Sequence, residues 1–163
     1  MKTAAAALGL LLAFATATPV ELAENPSDSM LEKRDTEIVY LANCQHSVSC
    51  CGGPTNYSEV LYYATSASSN NGAVPAANNQ CRISTSNYIA WEGDQRQCTF
   101  PTGVTFTTHI DADAQSRALY TWSGWGANGK NWNCYKDNQR TLFTTSGPEW
   151  ADVCKSVYYC IPQ

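Results

Sequence analysis

Eight cysteines in a chain of 163 residues constrain the fold more than any other feature: Cys44, Cys50, Cys51, Cys81, Cys98, Cys134, Cys154 and Cys160. Behind a leader of signal-peptide type, an even count reads as a disulfide framework. The connectivity stays open, because eight cysteines allow about a hundred pairings. Adjacent Cys50 and Cys51 are expected to have different partners, since a bridge between neighbours is badly strained. The spacing Cys44-x5-Cys50 mirrors Cys154-x5-Cys160, so bridges near both ends would restrict the unfolded chain most. A soft-metal reading of Cys44, His46, Cys50 and Cys51 fails on chemistry, because an oxidising compartment consumes the thiolates as disulfides. No metal or cofactor is expected.

The oxidising compartment is itself read from the start of the chain. Met1-Lys2 and a small-apolar run over residues 4–15 have signal-peptide form, and Ala15 and Ala17 fit the small-x-small cleavage rule. Residues 1–17 are therefore assigned as signal peptide. Residues 18–34 are polar and acidic and end in Lys33-Arg34, which looks like a kexin-type processing site closing a pro-peptide. That leaves residues 35–163 as one cysteine-rich β domain, expected to be secreted, extracellular and monomeric. Its ten acidic and seven basic residues give no global field for nucleic acid or an anionic membrane. Lys130, Lys136 and Arg140 are spread among neutral residues, and no basic cluster could track phosphates. No second apolar stretch is long enough for a membrane anchor.

Along the domain the period is mostly two. Residues 37–43 (EIVYLAN) read as a strand delivering Cys44, and residues 47–56 as a turn-rich loop. Asn56 heads the one valid N-glycosylation sequon, because Asn25 is followed by proline. Residues 59–66 suit either a buried strand or a short helix, and residues 66–80 read as a loop. Residues 88–91, 97–100, 140–145 and 156–160 continue the strand pattern. The cleanest strand is 104–111, with Val104, Phe106, Thr108 and Ile110 on one face and Thr105, Thr107, His109 and Asp111 on the other. Residues 111–117 offer a short helical turn. The fold class is mainly β: a disulfide-stabilised antiparallel β-sandwich or barrel-like single domain with at most short helices.

The densest chemistry lies in residues 119–143, where two aromatic arms flank a Gly/Asn tip. An Asn-Gly pair between alternating arms is a strong hairpin signal. Trp122, Trp125 and Trp132 lie here, and a flat indole on a rigid hairpin suits stacking on a sugar ring or anchoring a partner. Trp122 and Trp132 are expected to pack across the strands and Trp125 to protrude, with Asn128, Lys130, Tyr135 and Asp137 completing the binding set. The expected function is non-enzymatic binding of an extracellular host protein or a cell-wall polysaccharide. An alternative is a small secreted ribonuclease or other hydrolase using His46, Glu92, His109 and Asp111. A further alternative is an antimicrobial or toxin-like protein, which the acidic balance disfavours.

Three resemblances bear on these readings. The order Cys44, Cys50, Cys51, Cys81 resembles the first half of the hydrophobin pattern, but the second adjacent pair is missing, which excludes that family. Residues 51–58 (CGGPTNYS) faintly resemble the early Cys-Gly…Tyr-Ser segment of fungal guanyl-specific ribonucleases. That likeness implies His and Glu for proton transfer and an Arg for phosphate, roles open to His46, His109, Glu92 and Arg96 or Arg117. The family's His-Thr-Gly segment is absent. Residues 40–44 (YLANC), 133–140 (NCYKDNQR) and 157–160 (VYYC), with the dibasic site, resemble small cysteine-rich secreted proteins of filamentous fungi. That group implies an effector or elicitor role outside the fungal cell and supplies no catalytic residues.

Overall fold

Residues 38–42 (IVYLA) are apolar without alternation, which suits a strand covered on both faces. The computed structural model, which describes residues 36–49 and 52–163, shows such a strand. β1 (Ile38–Val48) lies between β2 (Thr55–Tyr63) and β9 (Trp150–Pro162), antiparallel to both. Val39 and Leu41 enter one buried cluster, while Ile38, Tyr40, Ala42 and Cys44 enter another. The leader, the pro-segment with Lys33 and Arg34, and Cys50 and Cys51 lie outside the described residues.

The remaining strands are β3 (Gln80–Arg82), β4 (Gln95–Thr99), β5 (Thr105–Ile110), β6 (Trp122–Ala127), β7 (Asn131–Lys136) and β8 (Thr141–Ser146). They join one sheet in the order β3-β2-β1-β9-β7-β6-β5-β4, with β8 paired to the first half of β9. Every ladder is antiparallel. The sheet curls until its edges meet, and the Cys81–Cys98 disulfide crosses the seam between β3 and β4 with a Cα–Cα distance of 5.9 Å. The domain is thus mainly β and barrel-like. Among the described residues, helix is limited to α1 (Ser66–Asn70) and two single 3₁₀ turns, Ala77–Asn79 and Ala114–Ser116.

The barrel interior holds Val39, Leu41, Val60, Phe106, Ile110, Trp132 and Tyr158. Trp91 closes it from residues 88–91, which form no strand; its Nε1 donates to Asn43 Oδ1 at 3.2 Å. A second apolar layer lies on the outer face of β1, β2 and β9, where Tyr40, Tyr57, Leu61 and Tyr63 meet Leu142 and Phe143 of β8. α1 adjoins this layer, where the Tyr40 hydroxyl bonds Ser69 Oγ at 2.9 Å. The ambiguous segment 59–66 resolves as strand to Tyr63 and helix from Ser66.

Two further disulfides, Cys44–Cys154 and Cys134–Cys160, join residues directly opposite in register, each with Cα atoms 4.0 Å apart. They tie β9 to β1 and to β7. These bridges pair six of the eight cysteines with one another. The pairing of Cys50 and Cys51, expected to have different partners, lies outside the described residues. Three disulfides fit an oxidising compartment. Among the described residues, no helix is long and apolar enough to cross a membrane.

Candidate functional site

The β6–β7 hairpin carries the aromatic groups, and a β-bulge decides which way they face. Trp122 pairs with Tyr135, Gly124 with Cys134 and Trp125 with Asn133, so Ser123 is an extra residue in β6. A regular strand would send Trp122 and Trp125, three residues apart, to opposite faces. The bulge sets both on the outer face, where Tyr135 and Asn133 also lie. Trp122 is 46% exposed and Trp125 39%, whereas Trp132 is fully buried. Trp125 and Trp132 lie as the sequence suggests; Trp122 does not pack inward, because of the Ser123 bulge.

The glycines here serve close packing rather than a flexible tip. Gly124 and Gly126 sit inside β6. A Cβ on Gly124 would lie 2.2 Å from the His109 carbonyl oxygen, and one on Gly126 would lie 2.5 Å from Phe106 Cζ. Gly124→Ala is therefore expected to push β5 from β6 and cost about 3 kcal/mol, read as a lowered denaturation midpoint. The turn proper is shorter, at Asn128-Gly129, with Gly129 at φ 91°.

A neutral row crosses the outer face around Trp125: Gln95, His109, Trp125, Asn133 and Ile161 are consecutive cross-strand neighbours. Beside it runs Gln97, Thr107, Ala127 and Asn131. The His109 and Trp125 rings lie 6.1 Å apart at 30°. Gln163 Nε2 donates to Asn133 Oδ1 at 3.0 Å. The apolar surface continues from Trp122 to Leu119 and Tyr120, both exposed, which sequence reasoning missed. Arg117 sits 6.0 Å from the Trp122 ring and is held by Asp111 at 2.8 Å and Asp113 at 2.6 Å.

The other expected binding residues hold the hairpin itself. Asn128 Oδ1 accepts the Trp132 indole proton at 2.7 Å, and Trp132 packs edge-on against Phe106 at 5.7 Å. Lys130 pairs with Glu37, with its ammonium 5.0 Å from the Trp132 ring. Tyr135 is half-buried and stacked on Tyr159 at 5.4 Å. Asp137 is buried, caps the Asn138 N–H at 2.8 Å and faces Arg140 at 3.5 Å. Asn56, the sequon residue, is half-buried on β2, and its Oδ1 accepts from Gln45 at 3.1 Å.

The candidate acid–base residues do not converge. His109 is on β5 and His46 on β1, with β6, β7 and β9 between them along the sheet. Glu92 accepts from the Tyr158 hydroxyl and from Gln115, and Asp111 is tied to Arg117. Glu92 and burial together push the Tyr158 phenol well up, burial being the larger cause. His46 instead bonds Asp152, Nδ1 to Oδ1 at 2.7 Å, beside a hollow lined by Val48, Glu149 and Trp150. A His–Asp pair can move a proton, but this lining contains no Ser, Thr or Cys to act as nucleophile and no Arg for phosphate.

Glu59 is a buried acid facing the second apolar layer, 3% exposed. Burial raises its carboxyl above the usual range; Asp152 adds to this and Arg82 opposes it. Its polar neighbour is Cys44 Sγ at 4.0 Å. That sulfur is in a disulfide and has no proton, so the contact is a hydrogen bond only when the Glu59 carboxyl is protonated and donates. A raised folded pKa adds stability below the unfolded value, about 4.3, and that stability is lost as pH rises through the folded value. Glu59→Gln, which mimics the protonated acid, is expected to melt higher than wild type at pH ~8, by about 1 kcal/mol, and to match it near pH ~4. Paired thermal scans across that range check this; a constant difference would contradict it. Tyr57, under Arg82 at 3.8 Å, is pushed up to about 12, chiefly by burial.

No protein-family model, no curated protein and no solved structure matches the chain, so its site is defined by its own geometry: two outward-facing tryptophans, one of them amid neutral cross-strand rows.

Proposed function

We propose that this protein is an extracellular, non-enzymatic binding protein that holds a neutral wall polysaccharide on the outer face of β4–β7. The observation that carries this reading is the exposure of Trp122 and Trp125 on one face, where the two cross-strand rows around Trp125 contain amides, hydroxyls and an imidazole, but no carboxylate, lysine or arginine. Flat indoles stack on pyranose rings, and amides both donate to and accept from sugar hydroxyls. The neutral rows favour a neutral glycan over a protein partner, whose interface would have a polar, charge-bearing rim. A wall polymer, of the producing cell or of a host it meets as an effector, is the ligand class.

A test follows from the missing charge. Co-sedimentation with insoluble cellulose, chitin and β-1,3-glucan is expected to retain the protein on at least one of them. Retention should change by less than about twofold between dilute buffer and ~1 M salt, because the rows around Trp125 carry no charge and the nearby Arg117 is already paired with Asp111 and Asp113. A steep loss with salt would mean that binding runs through charged groups elsewhere on the surface.

A further inference from the structure

We propose that the hollow at the open end of the second apolar layer is a separate site for an organic ammonium group, a primary amine on a carbon chain or ring. The hollow measures about 380 Å³ and is bounded by His46, Val48, Glu149, Trp150 and Asp152. Strand register builds it: His46 lies opposite Asp152, and Val48 opposite Trp150, on neighbouring β1 and β9. The two rings stack at 6.2 Å and 25°. Trp150 keeps this position because residue 147 is glycine; a Cβ there would fall 2.3 Å from the indole Nε1.

The lining is one-sided in its chemistry. Ionised Asp152 can only accept, so the 2.7 Å bond takes its proton from His46 Nδ1. In the neutral imidazole, Nε2 is then left as an acceptor. Glu149 and Asp152 supply carboxylates, and Trp150 supplies a π face that is itself negative. The Trp150 indole N–H is the one other side-chain donor. Val48 and Trp150 add exposed apolar surface, at 39% and 41%. A guest that satisfies these groups needs several N–H donors, a positive charge and a carbon body. An ammonium group meets all three through charge-assisted hydrogen bonds and cation–π contact. A carboxylate or phosphate would be repelled, and no lysine or arginine lines the hollow to reverse that sign.

The site is separate from the neutral face around Trp125, since that face reaches β9 at Ile161, at the opposite end of the strand from Trp150 and Asp152. The test is a titration of the whole ¹⁵N-labelled protein, following the Trp150 indole N–H resonance, which Trp150→Phe identifies by deleting it. The probes are n-butylammonium and glucosamine, with 1-butanol and glucose as uncharged counterparts of the same skeletons. At least one amine is expected to shift the resonance saturably, the matching neutral compound is not, and Glu149→Gln should weaken the amine roughly two- to fivefold. Saturation by butylammonium alone identifies a chain-borne amine such as a lysine side chain; saturation by glucosamine alone identifies an amino sugar. Equal response to amine and neutral counterpart, no response to either amine, or an unchanged affinity in Glu149→Gln overturns the proposal.

Discussion

Replacing Cys81 and Cys98 together by alanine is expected to lower the unfolding free energy by about 3 kcal/mol and to open the barrel along one line. The bridge closes a loop with a sequence separation of 17, and it is the covalent link across the seam between β3 and β4. β3 has three residues and pairs on its other side only with β2. Little else holds the two edges together. Trp91, Phe100, Ile83 and Ile89 pack beneath this region, so parting the edges exposes apolar surface as well as freeing the unfolded chain. Cys44–Cys154 differs in kind. It spans 110 residues, so its loss acts mainly on the unfolded chain, while the β1–β9 ladder keeps the native state intact. Hydrophobic-dye binding and amide exchange should therefore report local opening at β3 and β4 in the Cys81/Cys98 variant before global unfolding. The Cys44/Cys154 variant should lose stability without it. Equal exchange at the seam in both would contradict the assignment of Cys81–Cys98 as its clasp.

The second large effect is expected at the tryptophans. Each exposed indole offers a ring face, and a hot-spot aromatic is worth about 2 kcal/mol, or roughly thirtyfold in affinity. Trp125→Ala should cost the most, because it sits mid-row with the His109 imidazole on one side and the Asn133 amide on the other. Trp122→Ala should cost less, its ring being at the end of β6 beside Arg117. Both are exposed, so neither change touches the core, and melting temperatures should stay within a few degrees of wild type. Trp132→Ala is the contrasting case: it empties a fully buried site and is expected to cost about 3–5 kcal/mol of stability whatever its effect on ligand.

Local features of the chain carried much of this into view. Alternation over β5 names its faces in advance, with Phe106, Thr108 and Ile110 buried and Thr107 and His109 turned outward. Val104 departs because β5 begins one residue later. The hairpin signal at Asn128-Gly129 and the strand leading to Cys44 were equally readable. What escaped is non-local. Nothing near Ser123 announces an extra residue, since a bulge is defined by the register of β7 against β6, and without it Trp122 reads as a packing residue. Trp150 and Asp152 stand about a hundred residues from His46 in sequence, and only the β1–β9 register brings the three together. Glu59 sits in a run read as strand or helix, and its burial comes from packing against the Cys44–Cys154 bridge, a contact between residues far apart in sequence. The histidines looked like partners because titratable groups were few, yet the sheet order sets three strands between them.

The central claim is that the outer face of β4–β7 binds glycan through its indoles. It is tested most directly by co-sedimenting wild type and the Trp122→Ala/Trp125→Ala double variant with the polysaccharide that retains the wild type. Retention of wild type and at least a roughly thirtyfold loss in the folded double variant is the predicted result. Equal retention of the two proteins would contradict it.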